Sequence, residues 1–119
     1  MKFKKLYPLV TVKSLAKLKD FYSTHFGCSV SNETAGYLHF AFPGGGELAF
    51  MTQDAEAPQA FSGKGLTLCL EVANVDAEAA RLAKADLPII APLQDNPWGD
   101  RSIIVGDPIG IHVYVYQTN

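Results

Sequence analysis

The stretch Leu66-Thr67-Leu68-Cys69-Leu70-Glu71-Val72-Ala73-Asn74-Val75-Asp76 decides the fold. Leu66, Leu68, Leu70 and Val72 alternate with Thr67, Cys69 and Glu71, the period of a half-buried strand. Asn74 suits a helix N-cap. Asp76 and Glu78 fall in the first turn that follows, and Arg81 and Lys84 in the last, as the helix dipole favours. The helix is expected to end near Asp86, ahead of Pro88. A strand over 87–93 follows, interrupted by Pro88 and Pro92. Residues 94–100 read as a loop containing Pro97-Trp98-Gly99. Strands over 102–105 and 111–116 flank a turn at Gly106-Asp107-Pro108-Ile109-Gly110. The order is β-α-β-β-β.

The first half reads the same way. Residues 3–12 form a strand, with Pro8 marking an edge or a bulge. Ser14 is the expected N-cap. Leu15, Leu18, Tyr22 and Phe26 recur at helical spacing, and Gly27 stops the helix. Strands are expected over 28–34, 37–42 and 47–52, the last two joined by Pro43-Gly44-Gly45-Gly46. Val12 matches Val72, Ser14 matches Asn74, and Phe42-Pro43-Gly44-Gly45 matches Asp107-Pro108-Ile109-Gly110. The chain is therefore α+β, two βαβββ modules at 1–53 and 66–119 with a linker at 54–65. One helix covers one face of a four-stranded sheet. The other face needs a second module or a partner chain, and is the natural place for a ligand.

Composition narrows the function. The 119 residues are 48% apolar and 18% charged, enough for a core and unlike a disordered chain. A net charge of −2 gives no basic face for nucleic acid. No apolar run approaches the ~20 residues of a membrane span. The charged start Met1-Lys2-Phe3-Lys4-Lys5 is not followed by an apolar stretch or cleavage site, so no signal peptide is expected. Cys28 and Cys69 lack metal or redox spacing and read as reduced thiols of a cytoplasmic protein. Phosphate-loop, nucleophile-elbow and paired-cysteine zinc motifs are absent from the sequence.

Several features together resemble the vicinal oxygen chelate superfamily of glyoxalases, extradiol dioxygenases and bleomycin-resistance proteins. They are Val12 with Phe21-Tyr22 and Gly27, then Glu71-Val72-Ala73-Asn74-Val75-Asp76, Pro97-Trp98-Gly99 and Gly106-Asp107-Pro108-Ile109-Gly110. The resemblance implies curved, paired βαβββ sheets around a cavity, and a homodimer, often with modules exchanged between chains. The family's enzymes hold a divalent metal with His and Glu from the first and last strands of each module. At the matching positions stand Tyr7, Ala49, Thr67 and Tyr114. None is an ordinary ligand, since a Tyr phenolate would need its pKa of about 10 depressed. No metal or other cofactor is therefore expected. The pattern is closest to the metal-free, bleomycin-resistance-like branch.

Alternation places His112, Tyr114 and Tyr116 opposite Val113 and Val115, and Thr67, Cys69 and Glu71 opposite the leucines. The expected ligand-binding set is Tyr7, Thr67, Glu71, Trp98, His112, Tyr114 and Tyr116, suited to an aromatic or amphipathic molecule. Trp98 has two open roles, cavity wall or structural loop residue. Two alternatives point to a lyase, isomerase or dioxygenase. One relocates the metal to His39, Glu47 and His112, with the face of His39 undetermined. The other uses His112 and Tyr114 for acid–base chemistry.

Overall fold

A computed structural model of the chain describes residues 1–52, 61 and 63–119. Residues 54–60 and 62 of the expected linker lie outside the described residues. The chain divides into two compact units, Met1–Ser62 and Gly63–Asn119.

Unit 1 contains β1 (Leu9–Val12), α1 (Leu18–Phe26), β2 (Ser29–Thr34), β3 (Tyr37–Ala41) and β4 (Glu47–Thr52). Its sheet has the order β1-β4-β3-β2, with β1 parallel to β4 and the other pairs antiparallel. Unit 2 repeats this with β5 (Thr67–Glu71), α2 (Val75–Lys84), β6 (Ile89–Asp95), β7 (Asp100–Gly106) and β8 (His112–Thr118), in the order β5-β8-β7-β6. Both units are thus the expected βαβββ module. The repeat extends to register. Ala49 lies between Leu9 and His39, and Tyr114 lies between Cys69 and Ile104. Ala49 and Tyr114 are therefore structurally equivalent, each four residues beyond its turn glycine.

One face of each sheet packs on its helix. In unit 1, Val10, Val12, Leu38, Phe40, Leu48 and Phe50 are buried with Leu18, Phe21 and Tyr22 of α1. The Tyr22 ring sits 5.2 Å from Phe40 and 5.8 Å from Phe50, centroid to centroid. Burying each such side chain stabilises the unit by roughly 1.5–3 kcal/mol. In unit 2, Val75, Ala79 and Leu82 of α2 are buried, as are Ile103, Val105, Val113 and Val115 of β7 and β8.

Three hairpins share one turn. Phe42-Pro43-Gly44-Gly45, Asn96-Pro97-Trp98-Gly99 and Asp107-Pro108-Ile109-Gly110 each bond the N–H of the fourth residue back to the first carbonyl. The N–H of the first residue bonds in turn to the carbonyl of the fifth, Gly46, Asp100 or Ile111. Proline presets φ at the second position. Gly45, Gly99 and Gly110 supply φ of 95°, 104° and 94°, as a type I turn with a glycine bulge requires. Asp107 adds a brace, its Oδ1 accepting from the N–H groups of Ile109 and Ile111 at 2.9 and 2.8 Å.

Helix α2 starts as expected. Asn74 Oδ1 accepts from Ala77 N at 3.0 Å, and the Gln117 side chain caps Val75 N at 3.0 Å. Helix α1 does not start at Ser14. Its N-cap is Lys17, at a left-handed φ of 69° and with no side-chain cap. The Ser14 hydroxyl instead accepts from Ala16 N at 3.1 Å, closing a separate turn that leads the fully buried Leu18 inward. The first strand is also shorter than 3–12. Pro8 lacks an N–H, and its carbonyl accepts from Ala49 N at 3.0 Å just before β1 begins. Conversely, Gln94 and Asp95 are not loop but extend β6, paired with Ser102 and Arg101. Pro92 is tolerated because β6 is an edge strand with an irregular register between Ala91 and Gln94.

Candidate functional site

In unit 2 the sheet face away from α2 carries Thr67, Cys69 and Glu71 of β5, His112, Tyr114 and Tyr116 of β8, and Asp100, Ser102 and Ile104 of β7. Side chains alternate along each strand, so burying Val113 and Val115 turns the tyrosines outward. The face is built of rows: Thr67 beside His112, Cys69 beside Tyr114, and Glu71 beside Tyr116. The rings of Tyr114 and Tyr116 lie 5.6 Å apart, tilted by 44°.

Tyr114 is the centre of a hydrogen-bond network. Its hydroxyl donates to Asp100 at 2.8 Å (Oδ2) and 3.1 Å (Oδ1). It accepts from Trp98 Nε1 at 3.2 Å and from Asn96 Nδ2 at 3.2 Å. The Asn96 amide also donates to Asp100 Oδ1 at 2.7 Å and Ser102 Oγ at 2.8 Å. Two N–H hydrogens thus serve three acceptors, so one bond is shared. Burial pushes the Asp100 carboxyl upward, but the donors Asn96, Tyr114 and Trp98 together outweigh it and hold it below the usual carboxylate range. Trp98 is 70% exposed, yet its indole is anchored through this bond. Glu71 Oε2 accepts from Thr118 Oγ1 at 2.6 Å. The charge of Glu71, followed by burial, raises the Tyr116 phenol above its ordinary value.

Asn96, Asp100 and Ser102 escape the sequence reading. Strand alternation puts Asp100 and Ser102 on the face of Tyr116, but a loop ending at residue 100 hides that phase. Asn96 is legible only as the first residue of an Asn-Pro-Trp-Gly turn.

In unit 1 the face away from α1 carries Tyr37 and His39 of β3, Glu47, Ala49 and Met51 of β4, and Leu9 and Thr11 of β1. The open question about His39 is settled: it shares the face of Glu47 and Ala49. His39 is 6% exposed and uses both ring nitrogens. Nε2 lies 2.7 Å from Glu47 Oε1, and Nδ1 lies 3.0 Å from the Tyr37 hydroxyl. Lys5 Nζ donates to the same Glu47 oxygen at 3.0 Å. The Tyr7 ring is tilted over the imidazole, 4.4 Å between centroids. Bonds from Lys5 and then His39 hold the Glu47 carboxyl below its usual value. Burial, then the Tyr7 hydroxyl and the Glu47 charge, raise the Tyr37 phenol.

The four positions where the resemblance places metal ligands do not fit a divalent ion. Ala49 has no donor atom. Tyr114 already gives its proton to Asp100 and receives two donors, so its oxygen has no capacity left for a metal ion. Tyr7 stacks on His39, and Thr67 is an exposed alcohol. Of the relocated set, His39 and Glu47 meet, while His112 lies in unit 2. Among the described residues no three His, Cys, Asp or Glu side chains gather as a metal-holding group. The thiols differ: Cys69 is exposed, whereas burial pushes Cys28 up to about 12. Among the described residues no helix is long and apolar enough to cross a membrane.

Comparison with known proteins agrees with this architecture. An uncharacterised protein of Mycobacterium tuberculosis, Rv0887c, is 29% identical over 119 aligned residues, covering 90% of this chain and 70% of its own length. A glyoxalase/bleomycin resistance protein/dioxygenase structure from Nocardioides superposes with a TM-score of 0.78 at 20% identity, covering 99% of this chain and 85% of the other. A domain of the same description from Frankia sp. EAN1pec gives 0.75 at 19% identity, covering 99% and 100%. At these identities the two structures show the fold alone. The family profile matches residues 6–115, nearly the whole chain, and with the repeated βαβββ register it establishes that the chain belongs to the glyoxalase/bleomycin resistance protein/dioxygenase superfamily.

Proposed function

We propose that this protein binds a planar aromatic or amphipathic small molecule without a metal, and acts by sequestering it. The carrying observation is Trp98: 70% exposed, yet fixed by its Nε1 bond to Tyr114. An exposed indole held in one orientation is a stacking surface whose ordering cost is already met on folding. Tyr114 and Tyr116 extend the aromatic surface. Thr67, Glu71 and His112 supply polar groups on the same face, and the Glu71 carboxylate favours a ligand with a cationic group. The saturated hydroxyl of Tyr114 supports the metal-free part of the reading, because the group at the family's ligand position is committed to Asp100.

The working form is a homodimer in the cytoplasm, where Cys28 and Cys69 stay reduced. Light scattering at micromolar concentration tests the dimer, and a monomer would contradict it. The binding claim is tested by thermal shift against a panel of planar aromatic compounds, with and without a cationic side chain. At least one class should raise the melting temperature saturably in the wild type and not in Trp98→Ala. No shift across the panel would overturn the claim for that chemistry.

A further inference from the structure

Charge is unevenly spread along the chain. Residues 1–19 hold six lysines (Lys2, Lys4, Lys5, Lys13, Lys17 and Lys19) and no Asp or Glu. The rest of the chain holds the other four Lys and Arg against all 12 Asp and Glu. The net charge of −2 is thus +6 on the first segment and −8 on the remainder. Salt screens exposed charges beyond about 8 Å at physiological ionic strength, so the local sum governs what this segment meets. All six lysines are exposed. Lys5 pairs with Glu47 at 3.0 Å and Lys19 with Glu33 at 2.9 Å. Lys2, Lys4, Lys13 and Lys17 form no ion pair among the described residues. Apolar side chains are interleaved with the lysines and stand in water: Met1, Phe3 (72% exposed), Leu6 (84% exposed) and Leu9. The segment is nevertheless pinned. Lys5 holds Glu47, the Tyr7 ring stacks on His39, and the Pro8 carbonyl accepts from Ala49 N at 3.0 Å. It then enters β1, an edge strand of its sheet, which Lys13 follows directly.

We propose that residues 1–13 dock the protein on an anionic lipid surface, with Met1, Phe3 and Leu6 in the headgroup layer and the lysines on lipid phosphates and carboxylates. The two kinds of side chain together select this partner. A nucleic acid backbone would take the lysines but leave Met1, Phe3 and Leu6 in water. A headgroup layer takes both, because a lysine lays its apolar stem along the hydrocarbon boundary while its ammonium stays among the charges. Pinning at Lys5, Tyr7 and Pro8 means that part of the ordering cost is met on folding. A few apolar side chains and lysines give reversible attachment, on the membrane and not through it. The surface belongs to unit 1 alone, so it does not rest on the Trp98 surface of unit 2.

The probe is a vesicle of phosphatidylcholine containing about 30% phosphatidylserine, against one of phosphatidylcholine alone. The full chain should co-sediment with the first and stay in the supernatant with the second. High salt should release it, since the screening length falls to about 3 Å at 1 M. Each of Lys2→Gln, Lys4→Gln and Lys13→Gln should weaken binding about fivefold. The pair Phe3→Ser and Leu6→Ser should weaken it as well, with the charge unchanged. All these side chains are exposed, so the thermal melts should match the wild type and separate lost docking from lost folding. Equal binding to both vesicles, no binding to either, or binding unchanged in the lysine variants would overturn the proposal. So would binding unchanged in the Phe3 and Leu6 variant together with equal binding to duplex DNA, which would make the segment a general polyanion site.

Discussion

Tyr114 donates its one proton to Asp100 and accepts from Asn96 and Trp98, so its hydroxyl has no free capacity. Removing that hydroxyl leaves the donors without their acceptor. Tyr114→Phe should cost about 1–2 kcal/mol in a denaturant melt and shift the emission of Trp98, the only tryptophan. Unchanged stability and emission would mean that the network is not held in solution. Asn96 is 8% exposed and feeds three acceptors, so Asn96→Leu should cost about 1–3 kcal/mol. At this scale the sequence was half legible. Strand alternation placed Tyr114, Tyr116, Thr67 and Glu71 on one face, because a period of two survives without knowledge of neighbours. It could not show that Tyr114 is tied to Asp100 and Asn96, since those partners come from a turn and a neighbouring strand.

The elements were read well where their signals are local. Asn74 with its trailing acidic and basic residues marked α2, and the cap bond to Ala77 N is there. Asn74→Ala should lower stability by about 1 kcal/mol in a thermal or urea melt. Helix α1 was misplaced because Ser14 offers the same local signal while capping a separate turn. The buried Leu18, a tertiary fact, fixes where the helix begins. The Gly44-Gly45 pair gives a sharper test. Gly44 has open space and no positive φ, whereas Gly45 sits at φ 95°. Gly44→Ala should be neutral within about 0.5 kcal/mol, and Gly45→Ala should cost about 1–3 kcal/mol. Equal effects from both would contradict the bulged turn.

For the whole molecule, the repeat was the strongest sequence signal, since each half supplies one helix and four strands in the same order. How the carboxylates respond to acid was not legible, because it depends on pairings between distant residues. Glu47, Asp76 and Asp100 all sit below their ordinary values, Asp76 through Arg101. Their contribution is therefore complete above the unfolded-state range of about 4 and is lost as pH falls through the folded values. The melting temperature should drop on that acid side, and Glu47→Gln or Asp76→Asn should make the drop shallower. An acid limb of the same slope in both variants would place the sensitivity elsewhere.

The proposed function has a metal-free aromatic ligand stacking on the anchored indole of Trp98. The most direct measurement is Trp98 fluorescence during titration with a planar aromatic compound in excess chelator. Saturable quenching is expected, unaffected by the chelator and weakened in Tyr114→Phe. Quenching that appears only when a divalent metal is restored would contradict it.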